Sequence, residues 1–227
     1  MRTILYVPII HTSADLGSLA KEVHKRGMAN LGEDAWKEHL NTIDGFWNAI
    51  ASYFDSTDVT GMKIYQDGMV ADREIGEKIV EEGIRLGSKN YELVFRLLKR
   101  GAILMKTEDL KLVKAEHKYL TAITKDHSLT RKLIAFTKYK LIKNRLLNER
   151  DMYIAKRIDE TLHDGEKAII FIGAYHNIKE KLPGDMRILE VKSTEKVRKY
   201  QTLLPFIDKK QNELAILSRY LISKVEV

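Results

Sequence analysis

The sequence predicts an α/β protein: a small, mostly parallel sheet with helices packed on it and a large helical insertion. Three observations lead there. Thr3 to Ile10 (TILYVPII) and Ala168 to Ile172 are continuous apolar runs, the pattern of strands buried on both faces. Each run ends in a polar tip that carries a histidine, His11 or His176. Between them, from Asp72 to Ile142, apolar residues recur at helical spacing and no strand of comparable quality stands out. The chain of 227 residues is therefore read as one α/β domain, with 72–147 as a helical insertion or cap.

Taken in order, Thr3–Ile10 is the first strand, and Pro8 predicts a bend or an irregular edge near its end. Thr12, Ser13 and Asp15 are turn and cap candidates, and Leu16 to Lys25 reads as a short helix. Glu33 to Phe54 is a longer helix whose Trp36, Leu40, Ile43, Phe46, Trp47 and Ile50 are expected in the core. Its Gly45 marks a kink or a close approach. Met62 to Tyr65 is a weaker strand, ending at Gln66-Asp67-Gly68. Asp-Gly is a turn signal; at the end of a parallel strand it also aims Asp67 at the sheet edge.

Helices are expected near 73–86, 90–99, 108–124 and 129–147, with Ser88, Thr107 and Ser128 as caps. Glu108 and Asp109 read as first-turn acids favoured by the helix dipole. A further helix opens at Asn148, with Asp151 three residues later to complete the cap, and carries Met152, Ile154, Ala155, Ile158 and Leu162 to Gly165. After the 168–172 strand come a Pro183-Gly184 loop, a strand at Met186–Val191 and helices at 193–204 and 209–223.

Composition narrows the classes. With 44% hydrophobic and 31% charged residues the chain resembles an ordinary globular protein. It has no membrane-length apolar run and no secretory leader, so the expected location is the cytoplasm. Zero cysteines exclude disulfides and thiolate metal sites. The net charge is +7, and Lys106 to Arg150 holds 12 Lys or Arg against 5 Asp or Glu. That stretch reads as the solvated face of helices or as a footprint for nucleic acid or an acidic partner. There is no Gly-x-Gly-x-x-Gly, no Walker loop, no Gly-x-Ser-x-Gly and no His-Glu-x-x-His.

Chemistry-bearing residues converge by topology. A helix packed antiparallel to its following strand places its N-terminus at the strand's carboxyl edge, where ligands bind in open α/β sheets. Glu149 and Arg150 are thereby brought toward Gly173 and His176. His11 and His176 each follow an apolar strand, either to cap it or to form a site as metal ligands or acid–base groups. His24, His39, His117, His127 and His163 read as surface or packing residues.

Pro8-Ile9-Ile10-His11, Glu149-Arg150-Asp151 and Gly173-Ala174-Tyr175-His176 together resemble the TraB/PrgY family, which is grouped with Tiki metalloproteases, erythromycin esterases and ChaN. The likeness spans residues 3–16 and 146–183, about a quarter of the chain. Pro8 stands where that family has a Gly and Asp151 where it has an Asn, and the transmembrane tail of many members has no counterpart in this sequence. The resemblance implies hydrolysis of a small peptide or an ester with a divalent metal (Mn, Co, Zn or Fe). His11, His176 and Asp67 are then the expected metal ligands. Catalysis would fall to His11, His176, Glu149, which activates or orients water, and Arg150, which stabilises negative charge or binds a substrate carboxylate. The rival reading is a non-enzymatic binding protein that holds nucleic acid or an acidic partner on its Lys-rich helices, or a carrier of haem or another small ligand.

Overall fold

The computed structural model describes residues 1–11, 20–125 and 128–226. Five parallel strands form one sheet: β1 (Arg2–Ile9), β2 (Lys63–Gln66), β3 (Ile103–Met105), β4 (Lys167–Gly173) and β5 (Met186–Glu190), in the spatial order β3-β2-β4-β1-β5. Eight α-helices accompany it among the described residues: α1 (Ala20–Leu31), α2 (Glu33–Asp55), α3 (Arg73–Arg85), α4 (Lys89–Lys99), α5 (Leu110–Lys125), α6 (Leu129–Thr161), α7 (Thr194–Leu203) and α8 (Ile207–Ile222).

The central strands are apolar on both sides because both faces are covered. In β1 and β4, Leu5, Val7, Ile9, Ile169 and Phe171 face a core built with α2, α3, α4, α7 and α8. The alternate residues Ile4, Tyr6, Ala168, Ile170 and Ile172 face Ile154, Ala155 and Ile158 of α6 and Leu162 just past its end. One long helix thus seals one face while the others share the second. Pro8 does not roughen the sheet. Tyr6, two residues earlier, accepts from Val191 on the β5 side, and that ladder ends at Tyr6–Glu190. The missing N–H of Pro8 therefore breaks no rung. Gly45 marks a close approach: a Cβ there would sit 2.5 Å from Ile222 of α8. Trp36 and Trp47 are buried as expected.

Several expectations need correction. The region 72–147 is not wholly helical, because β3 lies inside it and extends the sheet beyond β2. Asn148 caps nothing: α6 runs unbroken from Leu129 to Thr161, and Glu149, Arg150 and Asp151 lie in its interior. Thr107 is not a helix cap either. Its buried hydroxyl accepts from Gln66 N and donates to Met105 O, while Asp109 takes Lys111 N and Leu112 N at the start of α5. Ser88 and Ser128 do cap α4 and α6. The expected caps Thr12, Ser13 and Asp15, the first part of the 16–25 helix, and His127 lie outside the described residues.

Candidate active site

The carboxyl ends of the strands gather a cluster of ionisable side chains. His11 lies just past the end of β1, Asp67 follows β2, Glu108 follows β3, and His176 closes a turn after β4 through its N–H to Gly173 O at 3.0 Å. Arg150 and Asp151 come from the middle of α6, where that helix passes the same edge before its last turns cover the sheet.

Arg150 is the hub. Its Nε donates to Glu108 Oε2 at 2.6 Å and its Nη2 to Glu108 Oε1, a bidentate fork. The same Nη2 donates to Asp67 Oδ1 at 2.8 Å, and Nη1 reaches Glu116 on α5. Glu116 also accepts from Tyr139 Oη at 3.0 Å. Glu108 is fully buried and takes a further hydrogen bond from Gly68 N at 2.9 Å. Burial pushes the Glu108 carboxyl up, with Arg150 opposing it. Burial likewise works against the Arg150 charge, but Glu108, Asp67 and Glu116 outweigh it and raise the guanidinium further above its ordinary value.

The second unit is an imidazole–carboxylate pair. Asp151 Oδ1 lies 2.5 Å from His176 Nδ1, and Asp151 Oδ2 accepts from Asn177 N at 2.7 Å. The carboxylate fixes the ring and leaves Nε2 turned toward Asp67 Oδ2, 3.6 Å away. Burial alone would lower the His176 pKa; Asp67 and Asp151 overcome it and raise it. His11 Nε2 approaches the same Asp67 oxygen, at 3.7 Å, from a partly exposed position. Asp67 Oδ2 in turn accepts from Gly173 N at 3.0 Å. Burial would raise the Asp67 carboxyl, yet His176, His11 and Arg150 hold it well below the usual range.

At the centre stands Gly173. A Cβ built there would meet Asp67 Oδ2 at 3.2 Å, His176 Cδ2 at 3.4 Å and His11 Nε2 at 3.6 Å. The missing side chain keeps a cradle open between two imidazoles and a carboxylate. That donor set suits a borderline divalent ion, and Asp151 behind His176 is the outer-shell partner such a ligand needs. Among the described residues no group of three or more His, Asp or Glu stands, as the side chains are placed, where it could hold a metal ion.

The structure therefore brings together four of the five residues the sequence singled out: His11, Asp67, Arg150 and His176. Glu149 stays outside, partly exposed and 3.4 Å from Arg145 on its own helix. Arg150 is occupied by three carboxylates, so its guanidinium orders the acids rather than waiting for a substrate. Sequence reasoning missed Glu108 and Glu116 as site residues and took Asp151 for a cap. The signal for Glu108 was present, since it follows a short apolar run (Ile103–Met105) as Asp67 follows Met62–Tyr65. Of the histidines read as packing residues, His39 is buried beside Tyr200 and His24 accepts from Trp36 Nε1 at 3.0 Å. No described helix is long and apolar enough to cross a membrane. Comparison of the chain with protein-family models, with curated proteins and with solved structures finds no match.

Proposed function

We propose that this chain is a hydrolase of a peptide or ester bond, a divergent relative of the TraB/PrgY group, working at the carboxyl edge of its sheet with a divalent metal as cofactor. The observation that carries the proposal is the convergence of His11, Asp67 and His176 on the open space at Gly173. In this reading those three residues hold the metal, which when bound would lower the pKa of water and polarise a carbonyl. Asp151 locks the His176 ring so that Nε2 alone faces the site. Arg150 keeps Asp67 and Glu108 oriented, and its own charge offsets the burial of both. His11, the partly exposed member, completes the ligand set from the solvent side. Glu149 has no part in this arrangement; Asp67 is the acid nearest the two imidazoles.

The test combines elemental analysis with a substrate screen. Purified wild type, His11→Ala and His176→Ala are incubated with Mn, Co, Zn or Fe salts, desalted, and assayed against peptide and ester libraries. The proposal expects metal retention and hydrolysis in the wild type and loss of both in each variant. If both variants kept the wild-type metal content and turnover, the assignment would be wrong.

A further inference from the structure

The helix pair formed by α5 and the first half of α6 carries a surface that the site does not use. The two helices pack through each other, with Tyr139 of α6 near Tyr119 and hydrogen-bonded to Glu116 of α5. The outward side of α6 is left uncovered: Leu133 is 66% exposed, Ile134 50%, Phe136 51% and Leu141 78%. Four large apolar side chains within nine residues of one helix form a patch of the kind that marks an interaction surface.

Their placement has a pattern. At 100° per residue, Phe136, Leu133, Leu141 and Ile134 fall within an arc of about 160°, which the exposed Thr137 and Asn144 share. Lys143 borders that arc on one side, Lys138 and Arg145 on the other, and Lys140 stands within it. From Leu129 to Asn148 the sequence holds six Lys or Arg and no Asp or Glu. Large exposed apolar side chains interleaved with a few polar ones and bordered by cations suit a helix that rests on a bilayer surface, with its apolar side chains below the headgroups. Lys140 is compatible with that layout, because a lysine can lay its aliphatic stem along an apolar surface and extend its ammonium to the headgroups.

Charge and polarity separate the candidate occupants. Nucleic acid would meet Leu133, Phe136 and Leu141 where phosphates need polar donors. A second copy stacked on this face would set Lys138, Lys140 and Lys143 against their own counterparts, with no carboxylate on that stretch to answer them. An anionic lipid surface satisfies both halves of the pattern at once.

We propose that the outer face of α6 between Leu133 and Arg145 docks the protein peripherally on anionic membranes. The active site lies further along the same helix, joined to the pair through the Glu116–Arg150 contact. Docking would therefore hold the catalytic edge close to the lipid surface. The inference does not depend on the hydrolase proposal.

The test is co-sedimentation of the whole chain with phosphatidylglycerol vesicles and, in parallel, with phosphatidylcholine vesicles, at low and high salt. The wild type is expected to pellet with the anionic vesicles and stay in solution with the zwitterionic ones. Leu133→Ser with Leu141→Ser should lower the partition coefficient on the order of tenfold or more. Lys138→Glu with Lys140→Glu and Lys143→Glu should abolish binding. These side chains are exposed, so circular dichroism and Tm should match the wild type in both variants. A Phe136→Trp protein should shift its emission to the blue with the anionic vesicles only.

Failure of the wild type to pellet with phosphatidylglycerol at low salt would overturn the proposal. So would binding unchanged by the two serines. Size-exclusion with light scattering that shows a dimer dissolved by the same serines would instead assign the face to a second copy. Tighter retention on nucleic acid or on a polyglutamate column than on anionic lipid, lost in the same variants, would assign it to that partner. Either result would refute the lipid assignment.

Discussion

Arg150→Met removes the cation from three carboxylates while keeping much of the apolar stem. In the wild type its guanidinium makes the fork to Glu108 and the bonds to Asp67 and Glu116, and Glu108 has no solvent exposure with which to compensate. Breaking a buried pair by deleting one partner costs about 3–5 kcal/mol, because the remaining charge stays desolvated. For a chain of this length that corresponds to a fall in Tm of roughly 10 °C. The pH dependence follows from the signs. In the variant Glu108 and Asp67 relieve their burial by taking up protons, so the deficit is largest near neutral pH. It should narrow as pH falls through the carboxylate range, where the wild type is itself losing what its depressed Asp67 contributes. Urea unfolding of metal-free protein at a series of pH values measures this directly. A deficit below about 1 kcal/mol at neutral pH, the size of a surface pair, or one that did not vary with pH, would refute the reasoning.

Three further outcomes are expected. In metal-free protein the His176 imidazole should titrate above the ordinary histidine value in an NMR series, and Asp151→Asn should move it downward. The stability it supplies is complete below the unfolded value of 6.5 and fades as pH rises through the folded one, and urea midpoints across that range would show this. His39 behaves in the opposite sense. Burial pushes its pKa down to about 4 from 6.5, so wild-type stability should fall between those values as the unfolded chain takes up a proton, and His39→Gln should flatten that part of the profile. Gly173→Ala should leave Tm within a few degrees of the wild type, since its nearest contact of 3.2 Å asks Asp67 to shift only slightly. It should nevertheless sharply reduce both metal retention and hydrolysis by filling the cradle, and an alanine variant with wild-type metal content would show that the space is not used.

The strands and most helices could be read from the chain because their patterns are local. β1 from Ile4 onward and β4 from Ala168 onward are apolar, since both faces are buried there, and α2 and α4 carry apolar residues at regular spacing. β3 was missed because three residues are too few to show a period, and its neighbours are helical. The false cap at Asn148 has a different cause. Asn148 and Asp151 have the spacing of a cap, but Asp151 is committed to His176 and Asn177 across the site, and tertiary packing carries the helix straight through. The same error hid the role of Asp151. Topological reasoning brought Arg150 to the right edge from a wrong premise, because the helix runs antiparallel to β4 whether or not it begins there. Glu116 gave no signal at all. Its link to Arg150 exists only because α5 folds back along α6, a contact that local spacing does not encode.

The position of β4 between β1 and β2 has a consequence for how the chain is made. β1 ends at Ile9 and β2 at Gln66, yet neither pairs with the other; both wait for a strand that begins at Lys167. On the ribosome only the short β2–β3 pairing can form before β4 emerges, and β1 must remain unpaired for most of synthesis. Contacts this distant in sequence make folding slow and leave apolar strands exposed while it proceeds. A chain interrupted before Lys167 would lack the sheet's central strand and also Gly173 and His176, so the strand that joins the two halves of the sheet and the last residues of the candidate site emerge together.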